Sequence, residues 1–205
     1  KQKTMIRIFF VIIALLVFPI ATENFNCHFN PQIEKKEPKT IEEKYLVLQE
    51  FAKELEQEEI IKVPAKQFAG FMLCVFYAES NLNPKANWDG QEGINQLTAA
   101  TRRRLGMPES IVNLGFVEQL QLFKKYLVAT KQGHKVHRVY DLHILNFSPC
   151  KVGQDFICVA NPEKNLHYLD LDKDGNVTGK DMAIFIAKRC KENKFVYKIF
   201  KSLSA

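Results

Sequence analysis

The spacing of apolar residues along the chain predicts helices, and no stretch alternates convincingly as a β-strand. Thr40 followed by Glu43 matches a capping box, and apolar residues recur at helical spacing over 45–55, so we expect a surface helix there. Residues 68–78 (FAGFMLCVFYA) carry no charge. A helix that is apolar on all sides is normally buried, so this segment predicts a buried central helix.

The same periodicity predicts further helices downstream. A short helix covers 98–105, a longer amphipathic helix begins at about 116 and ends near Gly133, and another covers 136–146 before Pro149 stops it. Thr178 is placed to cap a last helix. The predicted fold class is therefore all-α, arranged around the buried central helix.

The apolar run ends on a carboxyl group, Glu79, which is an unusual way for a core segment to finish. Burying a carboxylate is costly unless it is paired or protonated, and apolar surroundings disfavour its charged form. Because Glu79 follows Phe76, Tyr77 and Ala78, it is suited to holding a proton for general-acid catalysis. The alternative is a glutamate that points outward from a helix end and has no chemical role.

Three short blocks at and after Glu79 carry a resemblance to a known family. ESNLNPKA at 79–86 has a glutamate-serine pair before an Asn-Pro-x-Ala turn, GINQLT follows at 93–98, and LNFSP at 145–149 retains an Asn and a Pro. Together they resemble the lytic transglycosylases and goose-type lysozymes over about residues 63–153. The resemblance implies a lysozyme-like helical catalytic domain at 40–160.

The resemblance also implies a mechanism. Glu79 would protonate the glycosidic oxygen between N-acetylmuramic acid and N-acetylglucosamine in peptidoglycan. The C6 hydroxyl of the muramic acid would then attack with Glu79 as the base, giving a 1,6-anhydro sugar without any cofactor for catalysis. Tyr140 is a candidate replacement for the family tyrosine that contacts the glutamate, because that position is Leu145 here. The side chains expected at the substrate are Ser80, Asn95, Gln96, Tyr140 and Asn146.

Two other functions stay open on the same residues. A hydrolytic lysozyme would need a second carboxylate to activate water, and Asp89 and Glu92 are the candidates, although loop solubility also explains them. An inactive peptidoglycan-binding module is suggested by the missing tyrosine. Trp88 suits stacking on a sugar ring as well as simple packing.

A second pattern, DLDKDGNVTGKD at 170–181, fits the ligand spacing of an EF-hand loop. Calcium bound there would stabilise the C-terminal helical extension, 161–205, and would take no part in catalysis. The alternative is a loop whose aspartates make turns and cap the next helix. A calcium-regulated interaction protein is a further functional hypothesis. The candidate ligands are Asp170, Asp172, Asp174, Asn176 through its backbone carbonyl, and Asp181.

Histidines do not extend this list of metal ligands. His134, His137 and His143 are spaced too unevenly to share one helical face, so we expect no metal site among them.

The start of the chain predicts export. Basic residues precede 14 uncharged residues from Ile8 to Ala21. This is shorter than the roughly 20 residues that cross a bilayer, so residues 1–21 predict a secretory signal or else an uncleaved membrane anchor. The polar segment 22–39 predicts a linker. We expect the protein in the periplasm or outside the cell, with a membrane contact only through that anchor.

The charge composition of the chain argues against one class of partner, nucleic acid. The chain of 205 residues has 29 Lys and Arg against 23 Asp and Glu, a net charge of +6. No basic tract is dense enough to indicate nucleic acid, and the family resemblance implies the glycan strands of peptidoglycan as the partner. The five cysteines leave at least one unpaired, and Cys150 with Cys158 is either a small disulfide loop or a pair of free thiols.

Overall fold

The computed structural model describes residues 37–159 and 169–203, and these residues are mostly helical. The predicted signal segment, Cys27 and most of the predicted linker lie outside them. The helical class predicted from the sequence agrees with this architecture. Seven α-helices occur in the described part: α1 Ile41–Gln57, α2 Ala65–Ser80, α3 Ala99–Arg104, α4 Phe116–Thr130, α5 Val139–Phe147, α6 Gly179–Cys190 and α7 Lys194–Leu203.

Short strands accompany the helices, although none was predicted. They are too short, at two to four residues, to show an alternating pattern in the sequence. The first three form one antiparallel sheet in chain order, and the last two form a second antiparallel pair. The strands are β1 Asn87–Trp88, β2 Gln91–Glu92, β3 Leu97–Thr98, β4 Phe156–Val159 and β5 Asn176–Thr178.

Helix α2 lies at the centre of the fold. Every residue from 68 to 78 is buried, as the uncharged sequence predicted. Helices α1, α5, α6 and α7 all pack against it. Gly70 permits the close approach of α7, because a Cβ at this position would lie only 2.9 Å from Leu203 Cδ2.

Capping and backbone geometry define the ends of the first two helices. The predicted capping box at α1 is present, with Glu43 N donating to Thr40 Oγ1 over 3.1 Å and Thr40 N donating to Glu43 Oε2 over 3.0 Å. Helix α2 ends at Ser80, and Asn81 after it has a left-handed backbone with φ of 57°. Asparagine tolerates this conformation better than most residues. The chain therefore turns sharply just after Glu79, towards the sheet of β1–β3.

The C-terminal helices share the core with the rest of the described protein. Helix α6 packs against α2 and α5, and α7 packs against α2 and α6. Their buried apolar side chains include Met182, Ile186, Cys190 and Val196. In the described residues no helix has both the length and the apolar composition that crossing a membrane requires.

Candidate active site

Glu79 lies in the last turn of α2, and only 9% of its side chain is exposed. Its Oε1 is 2.9 Å from Nε2 of His143 on α5, a side chain that is 3% exposed. Glu79 is thus shielded from water as expected, but its surroundings are not purely apolar. Its partner is an imidazole, and His143 was not among the site residues predicted from the sequence.

His143 is enclosed by α6. Its Nδ1 lies 3.0 Å from Sδ of Met182, and its ring stacks on Phe185 with centroids 5.2 Å apart and planes 16° from parallel. Helix α5 is strongly apolar, and a buried polar group on such a helix requires a partner. That requirement was the available signal for His143, although it does not identify Glu79 as the partner.

The structure brings the segment 93–96 next to the end of α2. Ser80 Oγ donates to the backbone O of Ile94 over 2.8 Å. Gln96 Nε2 donates to the backbone O of Gly93 over 2.8 Å, which fixes the turn of the segment. Two predicted substrate residues, Ser80 and Gln96, therefore make structural contacts that hold this loop beside Glu79.

Asn95 and Asn146 provide open polar atoms in the same region. Asn146 lies one turn after His143 on α5, and its Nδ2 donates to the backbone O of Asn95 over 3.3 Å. Asn95 is only 2% exposed, yet its Nδ2 has no partner among the described residues, and neither has Asn146 Oδ1. Buried polar atoms without partners are uncommon, so this donor and this acceptor are candidates for contacts with a ligand.

A buried glutamine on α4, also not predicted, supports the loop. Gln119 Oε1 accepts from Ile94 N over 2.9 Å, and its Nε2 donates to Pro84 O and to Ile111 O, each over 2.8 Å. Gly93 makes this contact possible, because its φ is +80° and any Cβ there would overlap Gln119 Oε1. The glycine of the GINQ block is therefore required by packing.

Tyr140 makes no hydrogen bond to Glu79. Its hydroxyl lies 3.4 Å from Asp155 Oδ1, and the guanidinium of Arg138 lies 4.3 Å from its ring centroid. The proposed replacement of the family tyrosine by Tyr140 is therefore wrong. The group that meets the glutamate is His143, one turn further along the same helix.

Glu92 is a buried structural carboxylate, so the loop-solubility explanation is wrong for this residue. Its Oε2 accepts from Ser110 Oγ over 2.9 Å and from Ile111 N over 2.8 Å. Its Oε1 lies 3.4 Å from Arg102, whose side chain is 3% exposed. With both oxygens engaged, Glu92 is a poor candidate for activating water.

Asp89 and Trp88 lie on the outside of the small sheet. Asp89 is exposed in the turn between β1 and β2, with a left-handed φ of 53°, and Trp88 is 50% exposed. The indole is thus accessible to a flat ligand surface, while Asp89 has the position of an ordinary turn residue.

Three aspartates of the EF-hand-like loop lie close together. Asp170, Asp172 and Asp174 bring one carboxylate oxygen each within 4.8 Å of the others. Lys180 also bonds Asp172 Oδ2 over 2.7 Å, and this hydrogen bond lowers the pKa of Asp172. Hard oxygen donors in this arrangement suit Ca²⁺, and the calcium site stays a prediction.

Asp181 departs from its predicted role as the last ligand of that loop. It is fully buried, and its Oδ1 accepts from Leu171 N over 2.7 Å while its Oδ2 accepts from Thr178 N over 2.9 Å. In this arrangement Asp181 caps α6, as the alternative interpretation of the loop expected. Asn176 lies in β5, and its backbone N donates to Asp174 Oδ1 over 2.9 Å.

Comparison with models of protein families, with curated proteins and with solved structures found no match of any of the three kinds.

Proposed function

We propose that the protein is an exported peptidoglycan-cleaving lytic transglycosylase that uses Glu79 as its single acid and base. The observation that carries the proposal is the shielded contact between Glu79 and His143 at the end of a buried helix, beside the 93–96 loop. Burial and neighbouring groups are the means by which a carboxyl group is tuned to give and later regain a proton.

In the proposed reaction, Glu79 gives its proton to the oxygen that links N-acetylmuramic acid to N-acetylglucosamine, and the bond from that oxygen to C1 breaks. The C6 hydroxyl of the muramic acid attacks C1 and gives its proton to Glu79. The products are a 1,6-anhydro end and a free 4-hydroxyl end. The enzyme returns to its starting state, and water is not consumed.

The carboxylate oxygens of Glu92 already have partners in the protein, and this favours the lyase reaction over hydrolysis. Hydrolysis of a glycoside ordinarily uses two carboxyl groups. Glu92 has its oxygens bound to Ser110, Ile111 and Arg102, while Asp89 lies exposed in a turn. A mechanism with one carboxyl group is therefore the better match for the described residues.

The open atoms of Asn95 and Asn146 support an amino-sugar substrate. Asn95 Nδ2 is a buried N–H donor, and Asn146 Oδ1 is a carbonyl acceptor. The two residues are joined by the hydrogen bond from Asn146 Nδ2 to the backbone O of Asn95. An acetamido group has the complementary pair, a carbonyl that accepts and an N–H that donates. Both N-acetylmuramic acid and N-acetylglucosamine carry this group, whereas plain glucans lack it.

The decisive experiment follows the turbidity of a peptidoglycan suspension. The wild type is expected to clear it, and Glu79→Gln, which keeps the shape and the contact with His143, is expected to lose clearing by at least about 10²-fold. Glu109→Gln makes the same chemical change at an exposed residue and is expected to behave as the wild type. Clearing by Glu79→Gln at the wild-type rate would refute the proposal.

Mass spectrometry of the released fragments separates the two alternatives from the proposal. Anhydro ends support the lytic transglycosylase, and reducing ends indicate a hydrolytic lysozyme. An inactive wall-binding module would sediment with peptidoglycan and release no fragments at all.

A further inference from the structure

The imidazole of His143 is held at both of its nitrogens. Nε2 lies 2.9 Å from Glu79 Oε1, and Nδ1 lies 3.0 Å from Sδ of Met182. Phe185 covers one face of the ring. Because these contacts fix the ring, the positions of its protons follow from what each partner can donate or accept.

Met182 determines whether Nδ1 carries a hydrogen. A thioether sulfur has lone pairs and no hydrogen, so it can only accept. A bare Nδ1 would direct its own lone pair at the lone pairs of the sulfur and would leave a buried nitrogen unsatisfied, which is unfavourable. In this geometry Nδ1 therefore carries a hydrogen and donates it towards Met182 Sδ.

With a hydrogen on Nδ1, a second proton is needed between His143 Nε2 and Glu79 Oε1. When Nδ1 is protonated, a neutral imidazole presents a lone pair at Nε2. That lone pair would face an ionised carboxylate across 2.9 Å, so a hydrogen bond requires one more proton, on Oε1 or on Nε2. With either placement the pair has no net charge, which suits two side chains that are almost fully buried.

We propose that Met182 is a positioning residue that keeps an acid proton on the Glu79–His143 pair. In the other tautomer, with hydrogen on Nε2 and a bare Nδ1, an ionised Glu79 would be satisfied by the imidazole and would have no proton to give. The catalytic meaning of this arrangement rests on the proposed function. In that reaction the shared proton passes through Glu79 to the glycosidic oxygen, and the proton of the C6 hydroxyl restores the pair.

Apart from Lys188, which is exposed, the other charged groups on α5 and α6 have partners of their own, and Lys180 pairs with Asp172. Arg189 pairs with Glu192, and Asp141 pairs with Arg138. Asp181 is satisfied by backbone N–H groups at the start of α6. The proton count of the pair is accordingly governed by the contacts of His143 itself.

The test is the tautomer of His143 in the resting full chain, measured by ¹⁵N NMR with histidine labelling. The signals are assigned by their disappearance in His143→Gln. We expect a hydrogen on Nδ1, with Nε2 either protonated or accepting a strong hydrogen bond. A bare Nδ1 together with a hydrogen on Nε2 would overturn the proposal. This measurement uses no substrate, so it decides the proposal even if the protein does not cleave peptidoglycan.

A pair of methionine variants connects the tautomer to catalysis. Met182→Leu keeps a similar apolar volume and removes the acceptor, so the hydrogen is expected to move to Nε2 and kcat to fall about 10²-fold with little change in KM. Met107→Leu makes the same change at another buried methionine and is expected to alter neither quantity.

Two results for Met182→Leu would count against the proposal: an unchanged tautomer with full activity, or a loss of activity with an unchanged tautomer, which would indicate a merely structural effect. If the wild type releases no fragments from peptidoglycan, the proposed function fails, and the tautomer of the resting protein still decides the role of Met182.

Discussion

Replacing Gln119 with leucine tests whether this buried side chain positions the loop beside Glu79. The two side chains are similar in size, so the change mainly removes hydrogen bonds. The partners lost are one backbone donor and three backbone acceptors: Ile94 N, Pro84 O, Ile111 O and Leu114 O.

The expected cost follows from how deeply these partners are buried. The bonds to Ile94 N and Ile111 O lie in the interior, whereas those to Pro84 O and Leu114 O are only partly buried, and water can replace them. Each buried group left unsatisfied costs about 1–3 kcal/mol, and burial of the leucine returns about 1.5–3 kcal/mol. With two such groups, the net loss of unfolding free energy is centred on about 2 kcal/mol, or roughly 4–8 °C in Tm for a protein of this size.

Thermal melting followed by circular dichroism measures this loss, and peptidoglycan clearing well below the melting range measures the effect on the site. Clearing is expected to fall because Ile94 N no longer anchors the 93–96 segment. Gln121→Leu, on the same helix at a partly exposed position, is the matched control and should change little. If Gln119→Leu melts and clears like the control, Gln119 does not support the site.

Three further predictions concern other parts of the molecule. Burial raises the pKa of Tyr126 in the folded protein. The contribution of this tyrosine to the free energy of unfolding is therefore complete below about pH 10, and it falls above that pH by up to about 1.4 kcal/mol per pH unit. Urea unfolding of Tyr126→Phe should show a shallower alkaline decline, and an equally steep one would contradict the assignment. A hydrogen bond to Cys190 and burial raise the pKa of Cys74. An alkylating reagent should therefore modify Cys74 and Cys190 after the less buried Cys150 and Cys158, as followed by peptide mass spectrometry. Early modification of Cys74 would argue against the packing. If the 170–181 loop binds Ca²⁺, a chelator should lower Tm in the wild type but not in Asp174→Asn, and an unchanged wild-type Tm would remove the site.

Local signals in the sequence predicted the parts of the fold that depend on neighbouring residues. The uncharged run over 68–78 predicted the buried helix α2, and the Thr40–Glu43 pattern predicted the cap of α1. The position of Glu79 at the end of an apolar run predicted that its side chain would be shielded. Each of these features is determined within a few residues of chain, which is the range over which periodicity and capping act.

The partner of Glu79 could not be predicted in this way. His143 meets it only because α5 packs on α2, and nothing in the residues around either one encodes that contact. The same holds for Glu92, which looks like a loop residue in the sequence but is buried by Arg102 and by the segment at Ser110. Long-range pairing decides the chemistry of a buried charge, and a periodic pattern contains no information about it.

Helix α6 shows that the candidate site extends beyond the region of family resemblance, which stops near residue 153. Met182 and Phe185 enclose the imidazole of His143, and Arg189 donates to the backbone O of Ala78, the residue before Glu79, over 3.3 Å. Without α6, water would reach Nδ1 of His143 and could satisfy either tautomer, because water both donates and accepts. The motif at 79–96 therefore provides the carboxyl group and its loop, and helix α6 provides the contacts that enclose His143, the partner of that carboxyl group.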